Sequence, residues 1–174
     1  MVLDSLSREL GLKFKTPLFS SYAVAAGGNG NVFFYLVKPL TYMNKSGKVL
    51  KKLLKKTGLT PDNLIVICDN MDLKPGVCRF KLKGSSVSQH NGLASIIEAA
   101  GTSLFKRIYI GIGRTGRRED VITHVLGNPS NDENVLIKRS INRTARCLSR
   151  VTEGRIDQVA GMINGKTDKD CNEI

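Results

Sequence analysis

A continuous apolar run, Leu64-Ile65-Val66-Ile67-Cys68, constrains the fold of this chain more than any other feature. Such a run, without alternating polar residues, is typical of a β-strand that is covered on both faces. The run ends at Asp69, so the strand delivers a carboxylate at its C-terminal end. Ligand sites of open α/β sheets lie at that end of the strands. We therefore expect a sheet with helices on both faces and a functional group at Asp69.

Helical and strand patterns alternate along the chain. Apolar residues at helical spacing predict helices at residues 2–10, 48–57, 93–100 and 131–151. Further β-prone runs predict strands at 19–26, 32–38, 77–82 and 107–113, the first two joined as a hairpin by a loose, glycine-rich tip. This order predicts the α/β class, as a three-layer α/β/α domain with a mixed central sheet. We expect a single domain over residues 1–163 and a flexible tail over 164–174.

The charge of the chain indicates its partners. Twenty-seven Lys and Arg residues against 15 Asp and Glu residues leave a net charge of +12, which favours a polyanion such as nucleic acid. No stretch approaches the roughly 18 apolar residues of a membrane-spanning helix. Asp4, Arg8 and Glu9 interrupt the N-terminal region, where a signal peptide would need an apolar run. We therefore expect a cytoplasmic chain that does not engage a membrane.

Several short patterns each have an ordinary structural explanation. Gly111 to Gly116 match G-x-G-x-x-G, but the match lies late in the chain, and a strand end followed by a basic loop explains it better than a dinucleotide site. Asp69 and Asp72 are either paired carboxylates or the ends of a turn. No further ligands stand at metal-binding spacing, so we expect no metal. Asn91 is a candidate N-cap of the helix that follows it.

Five blocks together are more specific than any one of them. They are Tyr42-Met43-Asn44-Lys45-Ser46-Gly47, Cys68-Asp69-Asn70-Met71-Asp72-Leu73-Lys74-Pro75-Gly76, His90-Asn91-Gly92-Leu93, Ile110-Gly111-Ile112-Gly113-Arg114 and Val125-Leu126-Gly127. In order and spacing the chain closely resembles the bacterial-type peptidyl-tRNA hydrolases, over about residues 1 to 163. The resemblance implies a monomeric α/β enzyme that hydrolyses the ester between a peptide and the terminal ribose of tRNA. Such an enzyme recycles tRNA from stalled translation and needs no cofactor.

The resemblance also implies roles for individual residues. Asn44 would hold the attacking water or the peptide backbone, and Asn91 would bind the substrate beside it. Tyr42, where the family often has Phe, would line the pocket of the terminal nucleotide. Asp69 would orient and support a catalytic histidine. These roles suit ester hydrolysis, because a base must polarise the water and amide donors can stabilise the oxyanion.

The resemblance leaves one essential group unassigned. The family carries its catalytic histidine in a T-R-H-N-x-G motif after an opening strand, and residues 1–174 contain neither. His90 matches the H-N-G-L block rather than that base. Three interpretations follow: an enzyme whose natural start lies upstream, a relative that binds RNA without catalysis, or an inactive fragment.

Basic residues supply candidate contacts to tRNA. By the resemblance, Lys81 and Arg107 are candidates for clamping the 5′ phosphate. Lysines between Lys48 and Lys56 and arginines between Arg139 and Arg150 are candidates for long-range attraction of the polyanion, or else solvated helix faces.

Overall fold

The computed structural model describes residues 1–29, 32–84, 90–114, 129–153 and 156–165. Within them the helices are α1 (Val2–Glu9), α2 (Ser46–Thr57), α3 (Asn91–Ala100), α4 (Asn131–Ser149) and α5 (Ile156–Asn164). The strands are β1 (Tyr22–Asn29), β2 (Val32–Pro39), β3 (Ile65–Asn70), β4 (Cys78–Lys81) and β5 (Lys106–Gly111). Short 3₁₀ turns lie at Met43–Lys45, Pro61–Asn63 and Arg150–Glu153. The predicted order of helices and strands is confirmed, and α5 is an element that the sequence patterns do not predict.

A mixed three-stranded sheet forms the centre of the molecule, in the order β3-β5-β4. β3 and β5 are parallel, with Asp69 opposite Ile110. β4 runs antiparallel to β5, with Lys81 opposite Arg107. The mixed sheet of the predicted α/β class is therefore confirmed.

Alternate side chains of the sheet pack into two separate apolar clusters. Ile108 and Ile110 of β5 join the larger cluster, which contains buried residues of α1, α4 and α5. Tyr109, between them, joins the smaller cluster with Leu93 of α3 and Phe105. Because neighbouring side chains of a strand point to opposite faces, the sheet lies between two helical layers. This arrangement is the predicted three-layer architecture.

The β1-β2 hairpin forms a second sheet, which shares the larger cluster through Ala25 and Leu36. The ladder is longer than the sequence predicts, since Gly27 and Gly28 belong to β1 rather than to a loose tip. A Cβ atom at Gly27 would lie 2.9 Å from Leu12 Cδ1 and 3.0 Å from Phe34 Cζ. Gly27 is therefore a packing residue of the strand, which explains why a turn-forming residue stands inside it.

β3 is less covered than its apolar sequence predicts. Among its residues only Val66 is buried, and Ile65, Ile67 and Cys68 are half-buried. Within the described parts of the chain β3 has one neighbour, β5, so its other edge is open. The expected burial on both faces is thus only partly realised, because a strand at a sheet edge has a neighbour to shield it on one side only.

The C-terminal helix extends the packed domain beyond its predicted boundary at residue 163. The Phe80 N–H group donates to Asn164 Oδ1 at 2.7 Å, and Asn164 Nδ2 donates to the Phe80 carbonyl oxygen at 3.0 Å. The Asn164 amide thereby occupies the outer hydrogen-bonding groups of β4 as a neighbouring strand would. Residue 164 consequently belongs to the domain and not to a tail.

Helices α2 and α3 pack closely because Gly47 has no side chain. Its N–H group donates to Ser95 Oγ at 3.0 Å. A Cβ atom at Gly47 would lie 2.0 Å from the Ser95 carbonyl oxygen, a distance that no adjustment of a side chain relieves.

We expect Gly47→Ala to lower the free energy of unfolding by about 1–3 kcal/mol, because the added methyl group overpacks the α2-α3 contact. Gly161→Ala is the matched control, since Gly161 also lies in a helix but a Cβ atom there meets nothing within 4 Å. That substitution should stabilise the protein by about 0.5–1 kcal/mol. Urea denaturation of both variants measures the difference, and equal effects would refute the packing argument.

Candidate active site

The His90 imidazole joins the end of β3 to the start of α3. Its Nδ1 atom accepts hydrogen bonds from the N–H groups of Gly92 at 3.1 Å and Leu93 at 3.2 Å. Its Nε2 atom lies 3.2 Å from Asp69 Oδ1. Because Nδ1 accepts, the neutral ring carries its proton on Nε2 and donates it to the carboxylate. One side chain thus caps the helix and ties it to the strand.

The Asp69–His90 contact shifts the pKa values of both groups. The hydrogen bond from His90 lowers the pKa of Asp69, against the opposing effect of burial. The same hydrogen bond raises the pKa of His90, again against burial. The two capping N–H groups also resist protonation of Nδ1, since a protonated nitrogen cannot accept from them. The pair therefore favours a carboxylate at Asp69 throughout the neutral range.

Asn91 is not the cap of α3, contrary to the expectation from sequence. His90 occupies the N-cap position, and Asn91 is the first residue of the helix. A histidine ring nitrogen replaces the usual short polar side chain here, because its lone pair reaches the same two N–H groups. The Asn91 side chain is exposed and has no hydrogen-bond partner among the described residues, so its amide is available to a ligand.

Asn44 is linked to the first turn of α3 through its neighbour Met43. A Cβ atom at Gly92 would lie 2.5 Å from Met43 Sδ, so the methionine packs directly on the first turn of α3. Asn44 follows Met43, and Asn91 precedes Gly92, so each asparagine is one residue away from this contact. The Asn44 side chain is likewise exposed and without a hydrogen-bond partner in the described structure. The H-N-G-L pattern contains the glycine that permits this approach.

Asp72 does not pair with Asp69. The Asp72 N–H group donates to Asn70 Oδ1 at 2.7 Å, which closes the turn after β3. The Asp72 carboxylate accepts from Arg114 Nε at 2.7 Å, in an exposed ion pair. The turn interpretation is therefore confirmed, and acid-base chemistry shared by the two carboxylates is excluded by their separate partners.

Two glycines of the G-x-G-x-x-G match have packing roles. A Cβ atom at Gly111 would lie 2.2 Å from the Lys74 carbonyl oxygen. Gly113 has a φ angle of +76° and donates its N–H group to the Leu73 carbonyl oxygen at 2.9 Å. These glycines close the end of β5 against the turn that follows β3, which explains their presence without a dinucleotide. Gly116 lies outside the described residues.

The other candidate substrate residues occupy different surroundings. Tyr42 has 78% of its surface exposed, and Lys45 Nζ lies 5.7 Å from its ring centroid. Lys81 is exposed, with its Nζ atom 5.9 Å from the Tyr109 ring centroid. Three residues separate the register level of Lys81 from that of Asp69, about 10 Å along the strands. Lys81 therefore lies apart from Asp69 along the sheet.

Arg107 is buried, which contradicts its assignment as a phosphate contact. Its side chain has no exposed surface. Its guanidinium donates from Nη2 to the Ser103 carbonyl oxygen at 2.7 Å and from Nη1 to Tyr109 Oη at 3.3 Å, and its Cζ atom lies 4.7 Å from the Phe105 ring centroid. A group held by internal partners in this way braces the domain rather than meeting an external anion.

The arrangement offers hydrogen-bond donors to a polar substrate and a carboxylate that can orient an imidazole. The Asp69–His90 pair lies at the carboxyl end of β3, Asn91 is next to His90, and Asn44 is next to Met43, which packs on the first turn of α3. The two amides have the chemistry to donate to an oxyanion. Among the described residues no group of three or more His, Cys, Asp and Glu side chains could hold a metal ion. His124 and the Val125-Leu126-Gly127 block lie outside the described residues. No described helix combines the length and apolar character that crossing a membrane requires.

We expect Asp69→Asn to destabilise the protein more at pH 5.5 than at pH 3. A carboxyl group whose folded pKa is lowered stabilises above its unfolded pKa of about 3.9, and this contribution is lost as the pH falls through the folded pKa. Urea denaturation at both pH values measures the difference between variant and wild type. Asp62→Asn, an exposed carboxyl group without an ion pair among the described residues, is the control. If the loss of unfolding free energy caused by Asp69→Asn is as large at pH 3 as at pH 5.5, the ion-pair argument is wrong.

Comparison with known proteins identifies the family. The model of the family described as peptidyl-tRNA hydrolase matches residues 1–171. The chain is 41% identical over 155 residues to a peptidyl-tRNA hydrolase of Aquifex aeolicus, covering 88% of this chain and 79% of the relative. It is 37% identical over 163 residues to that of Geobacillus kaustophilus, covering 94% and 87%.

A solved structure supports the same relationship. The crystal structure of peptidyl-tRNA hydrolase from Acinetobacter baumannii has a TM-score of 0.88 and 28% sequence identity, over 96% of this chain and 84% of that one. The expected fold class and the sequence resemblance are both confirmed. The chain belongs to the peptidyl-tRNA hydrolase family.

Proposed function

We propose that this protein hydrolyses the ester bond between the peptide and the tRNA of peptidyl-tRNA, and so returns tRNA from stalled translation. Membership of the family is the observation that carries this proposal. The net charge of +12 suits a tRNA substrate. We further propose that the enzyme is a monomer, that it acts in the cytoplasm and that it needs no cofactor.

Asn44 and Asn91 are the proposed contacts to the reacting ester. Hydrolysis converts the planar carbonyl group into a tetrahedral intermediate with a negative oxygen, and a carboxamide N–H group stabilises that oxygen. The exposure of both side chains and their lack of described partners support this role. In the proposal Asn44 holds the water or the peptide backbone, and Asn91 binds the substrate beside it. Tyr42 offers an exposed ring on which the terminal base can stack.

The proposed general base is an imidazole other than that of His90. A base needs a free nitrogen lone pair facing the water. On His90, Nδ1 accepts from two N–H groups of α3, and Nε2 faces Asp69. To free Nδ1, the ring would have to give up the cap of the helix. Asp69 uses one carboxylate oxygen for His90, and the second can support another imidazole.

We propose that a strand outside residues 1–174 carries this second imidazole and pairs with the open edge of β3. β3 ends at Asn70, just past Asp69, so a strand along this edge can bring a side chain to the carboxylate. The half-exposed apolar residues of β3 support the proposal, because an added strand would cover them.

Mass spectrometry of the endogenous protein tests the source of the base. Its N-terminal peptide and intact mass should reveal a longer chain with a histidine upstream of Met1. Replacing that histidine with alanine should then abolish hydrolysis of peptidyl-tRNA. A native chain that begins at Met1 and still turns over would refute the added strand. Salt-sensitive tRNA binding by such a chain without turnover would instead support the non-catalytic relative.

We expect Asn44→Ala to lower kcat/KM of the native enzyme by about 10²- to 10³-fold, the usual cost of losing one oxyanion donor. Asn142→Ala is the control, because Asn142 is exposed on α4 and its one side-chain hydrogen bond among the described residues is accepted from Ser5 Oγ. Steady-state hydrolysis of peptidyl-tRNA by both variants gives the comparison. If Asn44→Ala keeps more than half of the wild-type kcat/KM, the assigned role of Asn44 is wrong.

A further inference from the structure

One face of α2 and of the turn before it consists of lysines. These residues, called here the lysine face, are Lys45, Lys48, Lys51, Lys52, Lys55 and Lys56. All six are exposed. At 3.6 residues per turn they span an arc of about 140°. The opposite side of α2 is apolar and packed against the domain, with Val49 2% and Leu50 6% exposed.

The lysine face has no acidic residue in its own segment and no ion-pair partner among the described residues. Neither α2 nor the turn before it contains an acidic residue, and none of the ion pairs found in the described ranges involves a lysine of this face. Like charges stand four residues apart at Lys48 and Lys52, at Lys51 and Lys55, and at Lys52 and Lys56, and each such pair costs about 0.2–0.5 kcal/mol. The helix dipole opposes Lys48 in the first turn and favours Lys55 and Lys56 in the last turn. Helix stability therefore does not explain the lysines of the first and middle turns.

The second basic helix, α4, differs because some of its arginines have partners within the domain. On α4, Arg143 Nη2 donates to the carbonyl oxygens of Met162 and Gly165, both at 2.7 Å, and so caps the end of α5. Arg150, just after α4, is half-buried. Two of the four arginines in the predicted stripe thus lie within the domain, and Arg139 and Arg146 are its exposed members. The α2 lysines are the larger free cationic surface of the two.

The lysine face has a fixed direction relative to the candidate active site. α2 begins two residues after Asn44 and extends about 18 Å away from it, at 1.5 Å per residue. The contact of Gly47 with Ser95 locks α2 to α3, whose first residues are next to His90. A long polyanion with one end in the site can therefore follow this face without any change in the protein.

We propose that the lysine face of α2 binds the ribose-phosphate backbone of the tRNA body while the peptidyl end occupies the candidate active site. This inference rests on the proposed function for the identity of the substrate. A membrane surface is disfavoured, because an interfacial helix turns its apolar side to the lipid, whereas the apolar side of α2 faces α3.

The test compares two triple variants of the native protein. Lys48→Gln, Lys51→Gln and Lys55→Gln together remove three charges from the lysine face and leave Lys45, next to Asn44, in place. Lys138→Gln, Arg139→Gln and Arg146→Gln together remove three exposed charges from α4 and serve as the matched control. Both triples should melt within a few degrees of the wild type, because all six side chains are exposed.

Each triple is assayed with full-length peptidyl-tRNA and with a short acylated oligonucleotide carrying the same peptidyl-adenosine end. For the α2 triple we expect KM for peptidyl-tRNA to rise about tenfold at unchanged kcat. The slope of log K against log salt for tRNA binding should fall by about 2 to 3. The short substrate should be hydrolysed as by the wild type, since it does not reach the lysine face. The α4 triple should change KM less than the α2 triple does.

Three results would overturn the proposal. In the first, the α2 triple binds tRNA with an unchanged salt slope. In the second, its KM for peptidyl-tRNA rises no more than that of the α4 triple. In the third, it loses activity equally on both substrates. Failure of the proposed function gives a different result from failure of the lysine-face proposal, since the wild type would then hydrolyse neither substrate. Direct measurement of tRNA binding by the same variants would still test the lysine face in that case.

Discussion

The hydrogen bonds of one imidazole hold the candidate site together. His90 is the cap of α3 and the partner of Asp69, so it fixes the position of the helix relative to the end of β3. Both roles require the same tautomer, with the proton on Nε2 and the lone pair on Nδ1. The ring therefore cannot rotate or exchange protons freely without losing a helix cap. Its neighbour Asn91 does not cap the helix, and its exposed amide has no hydrogen-bond partner among the described residues.

Glycines make this arrangement possible by allowing close approach rather than by adopting unusual backbone angles. Gly47 admits the backbone of Ser95, Gly92 admits Met43 Sδ, and Gly111 admits the Lys74 carbonyl oxygen. In each case a methyl group would lie within 2.5 Å of another atom. The three contacts draw α2, α3 and the turn after β3 toward one edge. The family blocks N-K-S-G, H-N-G-L and G-I-G thus each supply a packing glycine at the site.

Hydrophobic periodicity predicted the described elements except α5, and it predicted the layers, because burial follows directly from the spacing of apolar residues. The sequence could not predict which polar group caps α3, since His90 and Asn91 are adjacent and both carry an acceptor. The candidate role of Arg107 came from the family resemblance. The resemblance does not show that the Ser103 carbonyl and the Tyr109 hydroxyl hold this side chain inside the domain. The apolar run of β3 did not by itself predict that one edge lacks a neighbour among the described residues, because such a run carries no information about the number of neighbouring strands. Only the family resemblance, with its missing opening strand, pointed to this edge.

Two groups of basic residues in the described structure therefore contrast, one held within the domain and one exposed on α2. The two groups also differ in side-chain chemistry. Arg107 and Arg143 present planar, multidentate donors to carbonyl oxygens inside the domain, a use for which lysine is poorly suited. The charges on α2 are all lysines, compact and strongly hydrated, whose attraction to an anion tolerates many geometries. A surface of that kind suits a backbone of repeating phosphates better than a single fixed group. The proposed site differs in kind, because Asn44 and Asn91 would hold the substrate there through a few directed hydrogen bonds.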